Sequence, residues 1–165
     1  MQKVGIWITA AAVILGVSAA ALAEPMKIEA VMSPKQAMKL DFKDGTKRFV
    51  LLVRREGEAK GTGPFAGGQV VEFGMHDINP GVGGDPSGFL EIATPSGDYA
   101  YIRWVVKAAF VKGETKPRLI DYGYWELVSG SGALANMRGV GTMTIKAASK
   151  TDRLFTLEGE IAPKP

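Results

Sequence analysis

Hydrophobic and polar residues alternate with a period of two along most of the chain, in short runs broken by Gly, Pro, Asp and Ser clusters. Successive side chains of an extended strand point to opposite faces, so this rhythm predicts an antiparallel sandwich or barrel. The first run, residues 27–32, is short. Ser33-Pro34 offers a cap with Pro at the first helical position, and Asp44-Gly45 offers a stop, so a turn or two of helix is expected between them. From Phe49 the strand pattern is clear: Phe49, Leu51 and Val53 point one way, and Arg54, Glu56, Glu58 and Lys60 lie on the other face. Residues 69–78 follow, with Val71, Phe73 and Met75 expected on the buried face.

Segments 89–94 and 98–111 flank Pro95-Ser96-Gly97, where Pro presets φ and Gly is free to take positive φ, which makes a hairpin turn. In the second segment Ala100, Ile102, Trp104, Val106, Ala108 and Phe110 alternate with Tyr99, Tyr101, Arg103 and Lys107. Such alternation means one buried and one wet face. Segments 119–128, 140–147 and 153–161 complete the set. About eight strands and no long helix is the count at which a barrel closes around an interior just filled, or holding one small ligand. A six-residue echo reinforces this: Gly61-Thr62-Gly63-Pro64-Phe65-Ala66 resembles Gly130-Ser131-Gly132-Ala133-Leu134-Ala135. In each, a Gly-x-Gly corner ends a strand and an apolar residue is expected to plug the core.

The start of the chain has a different pattern. Lys3 precedes an uncharged apolar run, residues 4–20, and then Ala21-Leu22-Ala23. That is the layout of a secretory signal peptide, cleaved after Ala23, leaving residues 24–165 as a single barrel domain in the periplasm or outside the cell. No stable membrane anchor is expected after cleavage. The chain has no Cys, so disulfide scaffolds, thiol catalysis and thiolate zinc sites are excluded. One His, His76, leaves no paired-His metal centre. The formal net charge of +3 is too balanced to argue for nucleic acid.

The segment from Trp125-Glu126-Leu127-Val128-Ser129-Gly130 through Ser131-Gly132-Ala133-Leu134-Ala135-Asn136 to Met137-Arg138-Gly139-Val140-Gly141-Thr142 resembles the glycine-punctuated strand signature of allene oxide cyclase-like, calycin-like barrel proteins. Gly57, Gly61, Gly63 and the Gly97-Asp98 turn fit the same pattern, so the resemblance spans most of the chain after the leader. It implies an eight-stranded antiparallel barrel, often with a hydrophobic lumen and sometimes oligomeric. The plant cyclases act on a fatty-acid epoxide, but none of their catalytic residues maps onto a position here. Fold-level likeness does not specify chemistry.

Candidate chemistry is sparse. The Gly-rich stretches at Gly61 and Gly81-Val82-Gly83-Gly84 are followed by strand-like sequence, so they read as corners and not as phosphate cradles, which need a following helix. Asp77, Asn79, Asp85 and Ser87 offer oxygen ligands in a loop, but not at the spacing of a calcium-binding hand, and Asx turns account for them. His76, at a strand end opposite Met75, reads as a surface residue, with a general base or pH-responsive group as the alternative. Arg55 shares the parity of Phe49, Leu51 and Val53 and, if that register holds, faces the interior, where a guanidinium needs a carboxylate. Asp121 is one candidate, the pair either anchoring a ligand carboxylate or closing the barrel end, and a bulge turning Arg55 outward is the alternative. Trp104 and Trp125 are expected to point inward with Phe73, Met75 and Phe110.

The expected function is binding of a small apolar or amphipathic ligand, with Arg55, Phe73, Met75, Trp104 and Trp125 as the binding residues. No catalytic residue, metal or cofactor is assigned, and a homo-oligomer is left open. The alternatives are a cyclase or isomerase working in the lumen, or a filled barrel serving as an interaction module through exposed Tyr99, Tyr101 and Tyr122.

Overall fold

The structure, a computed structural model, describes residues 23–115 and 117–165. The expected leader therefore lies, apart from Ala23, outside the described residues. The strands are β1 (Glu24–Asp41), β2 (Phe49–Thr62), β3 (Gln69–Asn79), β4 (Gly83–Gly84), β5 (Ser87–Ala93), β6 (Tyr99–Val111), β7 (Arg118–Gly130), β8 (Met137–Ala147) and β9 (Arg153–Pro163). Strands β4 and β5 follow one another in a single position between β3 and β6. Every pairing is antiparallel, and β9 returns to pair with β1, so the sheet closes into a barrel of eight staves.

The helix expected between Ser33 and Gly45 is instead strand. β1 continues to Asp41, paired with β2 from Lys27↔Thr62 to Asp41↔Phe49. Its pairing with β9 ends at Met32↔Arg153, so beyond that point β1 has a neighbour on one side only. Proline, which cannot donate to a ladder, is tolerated on such an edge, and a bulge between Pro34 and Gln36 absorbs it. Local cap chemistry lost here to a long ladder with β2.

The two Gly-x-Gly corners close one end of the barrel. Gly61 and Gly63 take φ of +136° and +93°, and Gly132 takes +52°, conformations that a side chain would strain. Each corner then drops its apolar residue, Phe65 or Leu134, into the core. Above them Trp104, Trp125, Phe155, Met32 and Met143 are fully buried and pack inside the lumen. Trp125 meets Phe65 edge-on at 6.4 Å and donates from Nε1 to the Glu158 carbonyl at 3.2 Å. Its indole lies on a bed of Gly139, Gly141 and Gly159, where any Cβ would strike the ring.

The opposite end is looser. The β7–β8 ladder covers only Gly123↔Met143 to Glu126↔Val140. Beyond it buried Asp121 takes over, accepting the Ile145 backbone N–H at 2.7 Å. Asp121 thus faces inward, as its parity with Trp125 requires, but it serves the seam and not Arg55. Asp121→Ala should lower stability by about 1–3 kcal/mol, the cost of an orphaned amide, read as a lower urea midpoint at constant slope. An unchanged midpoint would show that water replaces the carboxylate.

Candidate functional site

The five residues expected to bind a ligand fall on two sides of the barrel wall. Arg55, Trp104 and Trp125 face the lumen, as read from the sequence. Phe73 and Met75 do not: they are 55% and 47% exposed on the outer face. Their inward neighbours on β3 are Val70, Glu72, Gly74 and His76. The reason is register. Val53 and Arg55 on β2 face inward and stand opposite Gly74 and Glu72, and directly paired residues share a face. Phe110 keeps inward parity but lies at the looser end and is 37% exposed.

This register creates one polar storey inside an otherwise apolar lumen. Arg55, Glu72 and His76 are all buried, which overturns the reading of His76 as a surface residue. Arg55 Nη1 donates to Glu72 Oε2 at 2.6 Å, and His76 Nε2 lies 2.8 Å from Glu72 Oε1. Residues four apart on a strand are separated by roughly 13 Å, so Glu72 and His76 must lean toward each other. They meet over Gly74, where a Cβ would collide with both Glu72 Oε1 and His76 Nε2. The carboxylate that Arg55 requires therefore sits directly across the ladder. Glu72 and Gly74 were the residues missed; the signal was the pairing partner of an inward Arg.

His76 also packs against Trp104, ring centroids 5.8 Å apart, and Trp104 meets Phe155 edge-on at 5.7 Å. Arg153, at the start of β9, is half-buried near this storey. Burial, and then the like charge of Arg55, hold its guanidinium below the ordinary arginine value. The arrangement contains an oriented His–Glu pair, but no Ser, Thr or Lys is hydrogen-bonded to it as a nucleophile among the described residues.

On the outside, the residues displaced from the lumen build a groove. Met38, Leu52 and Met75 stand side by side across β1, β2 and β3, with Gln36, Arg54 and Phe73 in the parallel row. The groove they line has a volume of about 550 Å³. Arg54 lies over the Phe73 ring at 6.0 Å and also pairs with Glu56 at 2.6 Å. The Asp-rich loop is occupied by its own cations: Asp77 accepts from Arg48 Nε at 2.8 Å, and Asp85 from Lys107 at 2.5 Å. Arg48 accordingly holds the Asp77 carboxyl below its ordinary value. Among the described residues, no group of three or more acidic or His side chains is placed to hold a metal ion.

No protein-family model matches the chain, and no curated protein does. Solved structures do resemble it. A conserved protein of unknown function from Rhodopseudomonas palustris superposes with a TM-score of 0.53 at 14% identity, over 84% of this chain and 98% of that one. A DUF3224-family protein of unknown function from Shewanella oneidensis gives 0.48 at 15% identity, over 88% and 98%. At such identities the likeness concerns the barrel fold alone.

Proposed function

We propose that this barrel is an exported binding protein that takes a small apolar or amphipathic molecule into its outer groove, between Met38, Leu52, Phe73 and Met75. The observation that carries the reading is the groove itself. Its volume falls within the range of small-molecule sites, and its walls are large apolar side chains with a few polar groups at the rim. Four of the exposed large apolar side chains, Met38, Leu52, Phe73 and Met75, are gathered along this shallow groove, and a contiguous exposed apolar patch is a usual mark of a binding site. Arg54 and Gln36 would meet a polar head. The lumen suits this role less, because aromatic and Met side chains occupy it. The likeness to allene oxide cyclase-like barrels fits an apolar ligand, while the cyclase alternative lacks an identified set of catalytic groups.

The test is titration with a dansyl-labelled fatty acid. The protein should take up one equivalent saturably, and Leu52→Glu should weaken uptake by about tenfold or more, since a carboxylate would be desolvated at the groove's centre. Leu52 is exposed, so stability should stay within about 0.5 kcal/mol. Absence of saturable uptake, or full uptake by Leu52→Glu, would overturn the reading.

A further inference from the structure

The polar storey holds donors that its one carboxylate does not reach. Both Glu72 oxygens are engaged, one by Arg55 Nη1 and one by His76 Nε2. His76 Nε2 must carry its proton to donate to Oε1, so its 3.1 Å approach to Arg55 Nη1 is two donors converging on one carboxylate, with no bond between them. Two further donors are buried with no partner at all: Arg55 Nε and Trp104 Nε1. Arg55 is 4% exposed and Trp104 fully buried, so bulk water does not satisfy them. Both belong to side chains that abut His76, one through the 3.1 Å contact and the other through the tilted ring contact at 5.8 Å.

Charge points the same way. Arg55 is paired with buried Glu72, while the half-buried Arg153, which feels the like charge of Arg55, has Asp152 and then Glu72 as its counter-charges. A buried donor without an acceptor costs free energy, and a buried cation without a counter-charge costs more. An occupant that satisfies both donors must be compact and must accept hydrogen bonds, and the two neighbouring guanidiniums favour a negative one.

We propose that the lumen holds a small planar oxyanion, of the carboxylate class, bound by Arg55 Nε and Trp104 Nε1 beside His76. Planar oxygens suit a guanidinium edge, and charge-assisted hydrogen bonds are the strongest available to such a site. The site is separate from the outer groove, with a barrel wall between them. Its ligand reaches it from the looser end, past Arg153.

The experiment uses the ¹⁵N-labelled protein titrated with sodium acetate, with sodium sulfate at matched ionic strength as the comparison. The Trp104 indole N–H resonance should shift saturably with acetate and not with sulfate. The Trp125 indole, already donating to Glu158, should stay still and serves as an internal control. Acetate should also raise the thermal midpoint, because it binds the folded state alone. Trp104→Phe, which keeps the packing and removes the donor, should weaken this acetate response about tenfold. A Trp104 resonance that does not move, or that moves equally with sulfate, would overturn the proposal, as would a lone water between the two donors in crystals grown in acetate. The wild-type titration decides the matter even where the variant does not fold.

Discussion

Replacing Trp104 by alanine should lower the unfolding free energy by about 3–5 kcal/mol, the range for deleting a large aromatic from a packed core. A domain of this size is stable by only about 5–15 kcal/mol, so the loss is a large fraction of the whole. The expectation rests on complete burial, the edge-on contact with Phe155 and the packing against His76. Trp104 is part of the aromatic filling of the lumen, and its deletion opens a void that neighbouring strands, fixed on both sides by ladders, cannot collapse to fill. Urea denaturation would measure it. A loss below about 1 kcal/mol would mean that the lumen is hollow around the whole indole and not only at its N–H edge, and the barrel would have to be regarded as a container.

Glu72→Leu should be as damaging for an electrostatic reason. It strands the Arg55 guanidinium in the lumen, and breaking one side of a buried pair typically costs 3–5 kcal/mol. Replacing the three polar residues together, by Arg55→Met, Glu72→Leu and His76→Phe, should recover most of that loss or exceed wild-type stability, because a well-packed apolar storey avoids desolvating charges. The pair of results separates two roles. If the triple variant is as stable as wild type, the polar storey is not maintained for folding, and its role lies in what it binds. If Glu72→Leu alone costs little, Arg55 is hydrated and the storey is wet. If the triple variant is worse than the single, the storey specifies the fold.

The architecture was legible because strands announce themselves by alternation, and seven of the strand segments read from Phe49 onward reappear in the structure. The Gly-x-Gly echo was equally informative: both corners take positive φ and both following apolar residues are buried. What alternation cannot supply is which of two faces is buried when both carry apolar residues. On β3 the odd positions carry Val71, Phe73 and Met75, and the even ones Val70, Glu72, Gly74 and His76. Counting apolar residues favours the odd face. Pairing with Arg55 and Val53 imposes the even one, and a whole face turns with it. The site was therefore half visible: an inward Arg55 demanded a carboxylate, but locating that carboxylate required the register. At Ser33-Pro34 the failure was different, since a local helix signal was overridden by a neighbour more than twenty residues away in sequence, Arg55 opposite Pro34.

The closing seam has a consequence in time. β1 and β9 are the first and last strands described, yet they pair along nine residues of each, from Glu24↔Ile161 to Met32↔Arg153. A chain synthesised or threaded from its N-terminus must hold an open edge on β1 until β9 has emerged, and such late, non-local pairing is slow. β1 carries Pro25, Lys27, Pro34, Lys35 and Lys39, residues that discourage a foreign strand from docking. Pro25 and Lys27 guard the stretch that waits for β9, and Pro34, Lys35 and Lys39 guard the stretch beyond Met32 that gains no second neighbour.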